Sequence, residues 1–173
     1  MTLEYGPKET LQIDDARIIW KNFAGKASQY NVEGNKNFSV IIPNEDMAED
    51  LRRRGWNVKE RPPRDEEDSP LYYLPVKVKF NDRGPKIYLR SGKAVNRLND
   101  NTCQILDKLE ILSCDLDIRP YDWVTMEGTK SEKRGRAAYL LSMEVIQAQD
   151  RIEARYAEEE APDDDDEYED NEE

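Results

Sequence analysis

In the stretch Val76-Lys77-Val78-Lys79-Phe80 apolar and basic residues alternate strictly, the period of a strand with one buried and one solvated face. Val76, Val78 and Phe80 fall on the core side, and Lys77 and Lys79 form a basic rail on the other. Short runs rich in β-branched and aromatic residues predict strands over 16–21, 37–42, 56–60, 71–80, 86–89, 112–119 and 137–146. The first two flank a loop containing Gly25 and Gly34 and read as an antiparallel pair. After Pro43 the pattern changes. Asn44 is placed to cap a helix over 44–54, with Glu45 and Asp46 in its first turn, Arg52, Arg53 and Arg54 in its last, and Gly55 beyond it.

Many strands with a single early helix suit a small β-barrel better than a βαβ fold, because strands and helices do not alternate. Residues 61–70 hold three prolines and read as an exposed loop. The chain therefore divides into an N-terminal arm at 1–13, a barrel domain at 14–147, a charged helical segment at 148–160 and an acidic tail at 161–173. The tail run Asp163-Asp164-Asp165-Asp166-Glu167 is too polar to offset chain entropy by burial and is expected to be disordered.

Charge changes the picture once its location is considered. The net charge of −12 argues against a polyanionic partner. Yet twelve of the 38 acidic residues lie between Glu158 and Glu173, with no basic residue among them, which leaves 26 acidic against 26 basic residues in the body. The body is neutral and the excess belongs to the tail. No apolar run approaches the ~20 residues of a membrane span, and the N-terminus lacks a signal-peptide pattern, so a cytoplasmic protein is expected. The chain has no histidine, which removes the commonest general base and metal ligand. Cys103 and Cys114 are too few and too widely spaced for a zinc cluster and read as buried free thiols. Neither a metal nor a cofactor is expected.

Segment 71–99 carries seven basic residues, Lys77, Lys79, Arg83, Lys86, Arg90, Lys93 and Arg97, against Asp82 alone. Tyr72, Tyr73, Phe80 and Tyr88 are interleaved with them. Cations that track phosphates beside rings that stack on bases are what single-strand binding requires. The same residues also suit a solvated strand face over an aromatic core, and for each ring both readings stand. A second basic cluster, Lys133, Arg134 and Arg136 around Gly135, follows Trp123. A glycine there would let a backbone approach phosphates. Trp20, Lys21, Phe23 and Lys26, with Tyr30 in the same hairpin loop, make a third patch, and Arg119, Tyr121 and Trp123 a fourth. The candidate DNA-binding set is Trp20, Lys21, Lys26, Tyr72, Tyr73, Lys77, Lys79, Lys86, Tyr88, Arg90, Lys93, Arg119, Trp123, Lys133, Arg134 and Arg136.

Four strings carry a resemblance: Ala16 to Lys26 (ARIIWKNFAGK), Tyr30 to Pro43 (YNVEGNKNFSVIIP), Gly55 to Lys59 (GWNVK) and Asp117 to Trp123 (DIRPYDW). Together they resemble phage and prophage single-stranded-DNA-binding proteins over about residues 14–156. The resemblance implies an OB-like fold, non-enzymatic coating of single strands with little sequence preference, and duty in replication or recombination. The acidic tail is similar to tails that compete for the DNA groove and recruit replication partners, although it ends Asn171-Glu172-Glu173 without a hydrophobic residue. The implied partners are single-stranded DNA and replication or recombination proteins, and a homodimer is compatible with this reading. Two rivals remain. A metal-dependent nuclease would use Asp115, Asp117, Asp122 and Glu127, but these do not form the converging set that a two-metal site needs. An acidic DNA mimic or structural phage protein would spread its acid over the folded body, which here is neutral.

Overall fold

The computed structural model describes residues 1–66, 68–148, 152, 155 and 156. Residues 2–5 and 11–16, where the sequence pattern shows no strand before Ala16, form β1 (Thr2–Tyr5) and β2 (Leu11–Ala16), and Arg17 alone separates β2 from β3 (Ile18–Asn22). β4 (Lys36–Ile42) then leads into α1 (Glu45–Arg53), where the Asn44 side chain accepts a hydrogen bond from the Met47 amide at 2.9 Å, as the capping pattern predicts. β5 (Lys59–Arg61), β6 (Leu71–Val78), β7 (Lys86–Ser91) and β8 (Ala94–Leu98) follow. The last two strands are 15 residues each, β9 (Ile111–Thr125) and β10 (Lys133–Gln147), and form a long antiparallel hairpin.

Among the described residues ten strands share one sheet, with the hydrogen-bonded order β1-β2-β9-β10-β6-β4-β3 and with β5, β7 and β8 as side branches. The path is open, ending on β1 and β3, where a closed barrel was the expectation. It is nevertheless curled. β2 and β3 stand near opposite ends of the path yet are joined through a single residue, and the Arg17 carbonyl accepts a hydrogen bond from the Ile41 amide of β4 at 2.9 Å.

The inner face builds the core by cross-strand rows. Leu11, Ile13 and Ala16 of β2 lie opposite Ile118, Leu116 and Cys114 of β9, and Phe38, Val40 and Ile42 of β4 lie opposite Val76, Leu74 and Tyr72 of β6. All twelve are buried. On β10 the buried residues are Ala138 and Leu140, then Met143 and Val145, so the alternation slips by one residue at Leu141, where the β9 register shifts. A bulge is the device that permits this change of phase. Val76 and Val78 are buried and Lys77 and Lys79 exposed, as the alternation in β6 predicts. Of the segment 148–160 only Ala148, Ile152, Arg155 and Tyr156 are described, the last three as helical. The tail at 161–173 lies outside the described residues.

Both cysteines are buried free thiols. Burial, reinforced by Asp115 and Asp15, pushes the Cys114 thiol up to about 12. Its reactive thiolate is therefore essentially absent at pH 8. An aromatic disulfide reagent at that pH should find Cys114 silent in the native protein and titratable in denaturant. Rapid stoichiometric labelling of Cys114 without denaturant would contradict the packing of β2 on β9.

Candidate nucleic-acid interface

Directly opposed residues of neighbouring strands point to the same face of a sheet. The pairings Asn22 with Asn37, Asn37 with Lys77, Lys77 with Tyr139, and Tyr139 with Arg119 therefore make one continuous row. The row crosses five strands, β3, β4, β6, β10 and β9, and none of its members is buried. It is outward facing, polar and basic, with one ring in it. The Lys77 ammonium sits 5.8 Å and the Arg119 guanidinium 4.8 Å from the centroid of the Tyr139 ring, within reach of a cation–π attraction.

Loops raise walls around the Asn22 to Tyr139 part of this row and enclose a cleft of about 1330 Å³. One wall is the β3–β4 loop, held by side-chain hydrogen bonds. Asp107 accepts from the Phe23 and Ala24 amides at 2.8 and 2.9 Å, and the Asn31 amide group donates to the carbonyls of Lys26 and Asn35. Gly25 and Gly34 make its closest backbone approach, a hydrogen bond of 2.8 Å. Gly25 has φ +68, and a Cβ there would lie 3.1 Å from the Gly34 carbonyl carbon, so both space and backbone favour glycine. The loop presents Tyr30 with 91% of its surface exposed. Beside it Trp20, half exposed, occupies the left-handed region at φ 52 within the β3 bulge. Its ring meets Tyr73 edge to face at 4.7 Å.

The opposite wall is the outer part of the β9–β10 hairpin. Trp123 lies across Gly135, its register partner. A Cβ on Gly135 would lie 2.4 Å from Trp123 Cζ2, so the missing side chain makes room for an indole rather than for a phosphate. Arg136 is held tightly, with its side chain 11% exposed. It pairs with Asp122 at 2.7 Å and Glu9 at 2.9 Å, and it donates to the Arg54 carbonyl at the end of α1 at 3.1 Å. The guanidinium beside Asp122 holds that carboxyl below its ordinary value. Lys36, also at the cleft, is paired with Asp100 and lies over the Phe80 ring. Arg134 bridges Glu132 at 3.0 Å with most of its side chain in solvent. An exposed pair of that kind contributes ~0–1 kcal/mol, so a phosphate competes easily for Arg134 and poorly for Arg136.

Of the sequence-predicted residues, Trp20, Lys77, Lys79, Trp123, Arg134 and Arg136 line the cleft. Tyr73 supports Trp20 from beside it. The remaining candidates lie elsewhere. Tyr72 is buried under the Arg52 guanidinium, and the Lys21 ammonium donates to the Leu106 and Leu109 carbonyls at 2.8 Å each. Lys26 stands exposed in the β3–β4 loop and Lys133 at the start of β10. Lys86, Tyr88, Arg90 and Lys93 belong to the β7–β8 hairpin, where Arg90 pairs with Glu144 at 3.1 Å. The basic segment 71–99 thus divides between two surfaces. Arg119 lines a second, smaller cleft. Sequence reasoning missed Asn22, Asn37 and Tyr139, whose outward parity shows only once the strands are in register.

The chain matches the family model described as "Putative phage ssDNA-binding domain" over residues 2–172. No curated protein sequence matches it. Among solved structures it is similar to the single-stranded DNA-binding protein from bacteriophage Enc34, at 10% identity and TM-score 0.45, covering 82% of each chain. A C-terminal truncation of that protein aligns at 12% identity and TM-score 0.45, covering 82% of this chain and 87% of the other.

Replacing Gly135 with Ala should expel the Trp123 indole from β10, since the added carbon overlaps a ring carbon. Overpacking of this kind costs ~1–3 kcal/mol. Thermal denaturation should show that loss, and tryptophan emission should shift to the red. An unchanged spectrum and melting temperature would mean that the ring does not rest on Gly135. With the match spanning all but the first and last residues and a basic, aromatic cleft on the folded body, the chain belongs to the phage ssDNA-binding domain family.

Proposed function

We infer that this chain coats single-stranded DNA in phage replication or recombination, without catalysing a reaction and with little sequence preference, through the cleft on the outer face of an OB-like curled sheet. The observation that carries the reading is the arrangement of Trp20, Tyr30, Trp123 and Tyr139 around the Lys77 row. Rings that stand partly free on a walled surface find partners in unstacked bases, whereas a duplex hides its base faces. Every base has a π face, so stacking is tolerant of sequence. Asn22, Asn31, Asn35, Asn37 and Asn57 also line the cleft, and their side-chain amides can hydrogen-bond whatever base edge is presented.

Three of the four carboxylates that a nuclease reading would use have structural partners instead. Asp115 accepts from the Asp15 amide at 2.9 Å, Asp117 from the Ser142 hydroxyl at 2.8 Å, and Asp122 from Arg136. The acidic tail fits a tethered competitor for the cations of the binding surface and a contact for replication partners, since a short tether holds it at an effective concentration around millimolar.

Binding to oligo-dT should exceed binding to duplex of equal length and should weaken as salt rises. Trp20→Ala should reduce affinity about tenfold, within the ~1–3 kcal/mol of one stacked base, while leaving the melting temperature nearly unchanged because the ring is half exposed. Equal affinity for duplex, or a Trp20→Ala protein that binds as well as the parent, would overturn the reading. Deleting residues 158–173 should tighten binding, most of all at low salt, where tail and DNA compete with least screening. No gain at low salt would leave the tail without a competitive role.

A further inference from the structure

The first cleft is poor in available charge. Of its cationic side chains, Lys36 and Arg136 are held by carboxylates and Arg134 bridges Glu132 at the surface, so only Lys77 and Lys79 stand without an ion pair among the described residues. The second cleft, of about 580 Å³, is the reverse. It is lined by Lys8, Lys79, Arg83 and Arg119 and by no carboxylate. Among the described residues none of these four forms an ion pair. Four unpaired cations in one hollow repel each other unless an anion joins them. Asp82, although next to Arg83 in sequence, lines neither cleft.

Local structure explains why these side chains meet. β6 and β7 both run parallel to β10 along the same edge, β6 opposite Tyr139 and β7 from Ser142 onward. The chain between them closes the turn 81–84 with paired hydrogen bonds between Asn81 and Gly84, and the Asn81 side chain accepts from the Arg83 amide at 2.9 Å. This turn stands over Leu140 and Leu141, where β10 carries its bulge. On the other side the turn Pro7–Glu9 is held by the pair between Glu9 and Arg136, which draws Glu9 toward the β9–β10 hairpin while Lys8 lines the cleft.

The two clefts adjoin. Lys79 lines both, and Arg119 of the second lies against the Tyr139 ring of the first. We propose that a single strand whose bases stack in the first cleft continues across Lys79 into the second, where Lys8, Arg83 and Arg119 hold its phosphates. This rests on the single-strand reading above and adds a division of labour: rings in the first cleft supply salt-insensitive stacking, and the second supplies most of the salt-dependent binding. Duty of this kind needs cations without fixed partners, because only those release counterions when phosphates arrive.

The test is a salt titration of full-length protein by fluorescence anisotropy, with dT oligonucleotides of about six and about twenty nucleotides, the short one within the range one such fold covers. In the double variant Lys8→Gln, Arg83→Gln, affinity for the long oligonucleotide should fall about tenfold. The slope of log K against log salt should lose about 1.4, twice the ~0.7 per single-strand phosphate. Affinity for the short oligonucleotide should be nearly unchanged, and Arg83→Lys should keep the parent slope. Trp20→Ala should weaken binding to both lengths without changing the slope. An unchanged slope and affinity for the long oligonucleotide in the double variant overturns the second cleft while leaving the first intact. Failure of the parent protein to bind either oligonucleotide overturns the single-strand reading itself.

Discussion

Residues 11–22 act as one strand with a single break at Arg17, and the rest of the molecule is arranged around that fact. The first half pairs with β9 and the second with β4, strands that β10 and β6 separate in the sheet order. A flat sheet could not place one strand near both ends of the path. The sheet therefore curls, which turns Leu11, Ile13, Phe38, Val76 and Ile118 inward as a core and leaves Asn37, Lys77, Tyr139 and Arg119 on the outer face. Twist and bulges are the means by which strands bend this way. Bulges occur at Asp15, in β3 around Trp20, and at Leu141.

That geometry also decides how charge is used. A neutral body meets a polyanion through separation of charges rather than through excess. On the β9–β10 side, Arg136 is committed to Asp122, Glu9 and the end of α1, so its role is to join four parts of the fold. Lys36 is committed to Asp100 in the same way. Lys77, Lys79, Arg119, Arg83 and Lys8 form no ion pair among the described residues and line the two neighbouring clefts, next to rings that stand partly in solvent. Neighbouring but distinct stores of stacking and of charge suit a ligand that carries both bases and phosphates.

Much of the fold is legible in local sequence. The helix is marked by Asn44 at one end and Gly55 at the other, and β6 by the alternation from Val76 to Phe80. The N-terminal strands are not, because β1 has only four residues and β2 loses its alternation at Asp15. Bulges hide the inner face for the same reason. The site is legible in residue type more than in place. Trp20, Lys77, Lys79 and Trp123 reach the cleft, whereas Tyr72 and Lys21, of the same types, are taken up by the core and by backbone carbonyls. A basic residue shows in the sequence, but whether a carboxylate from a distant strand neutralises it does not. Gly135 makes the same point, since its purpose depends on Trp123 across the hairpin.

The most direct test is photochemical mapping of the bases. Oligo-dT carrying 5-bromouracil, irradiated in complex with the full-length chain and analysed by peptide mass spectrometry, should crosslink to Trp20, Tyr30, Trp123 or Tyr139. Crosslinks confined to Tyr88 on the β7–β8 hairpin would place the bases on the other basic surface and contradict the cleft as the binding site.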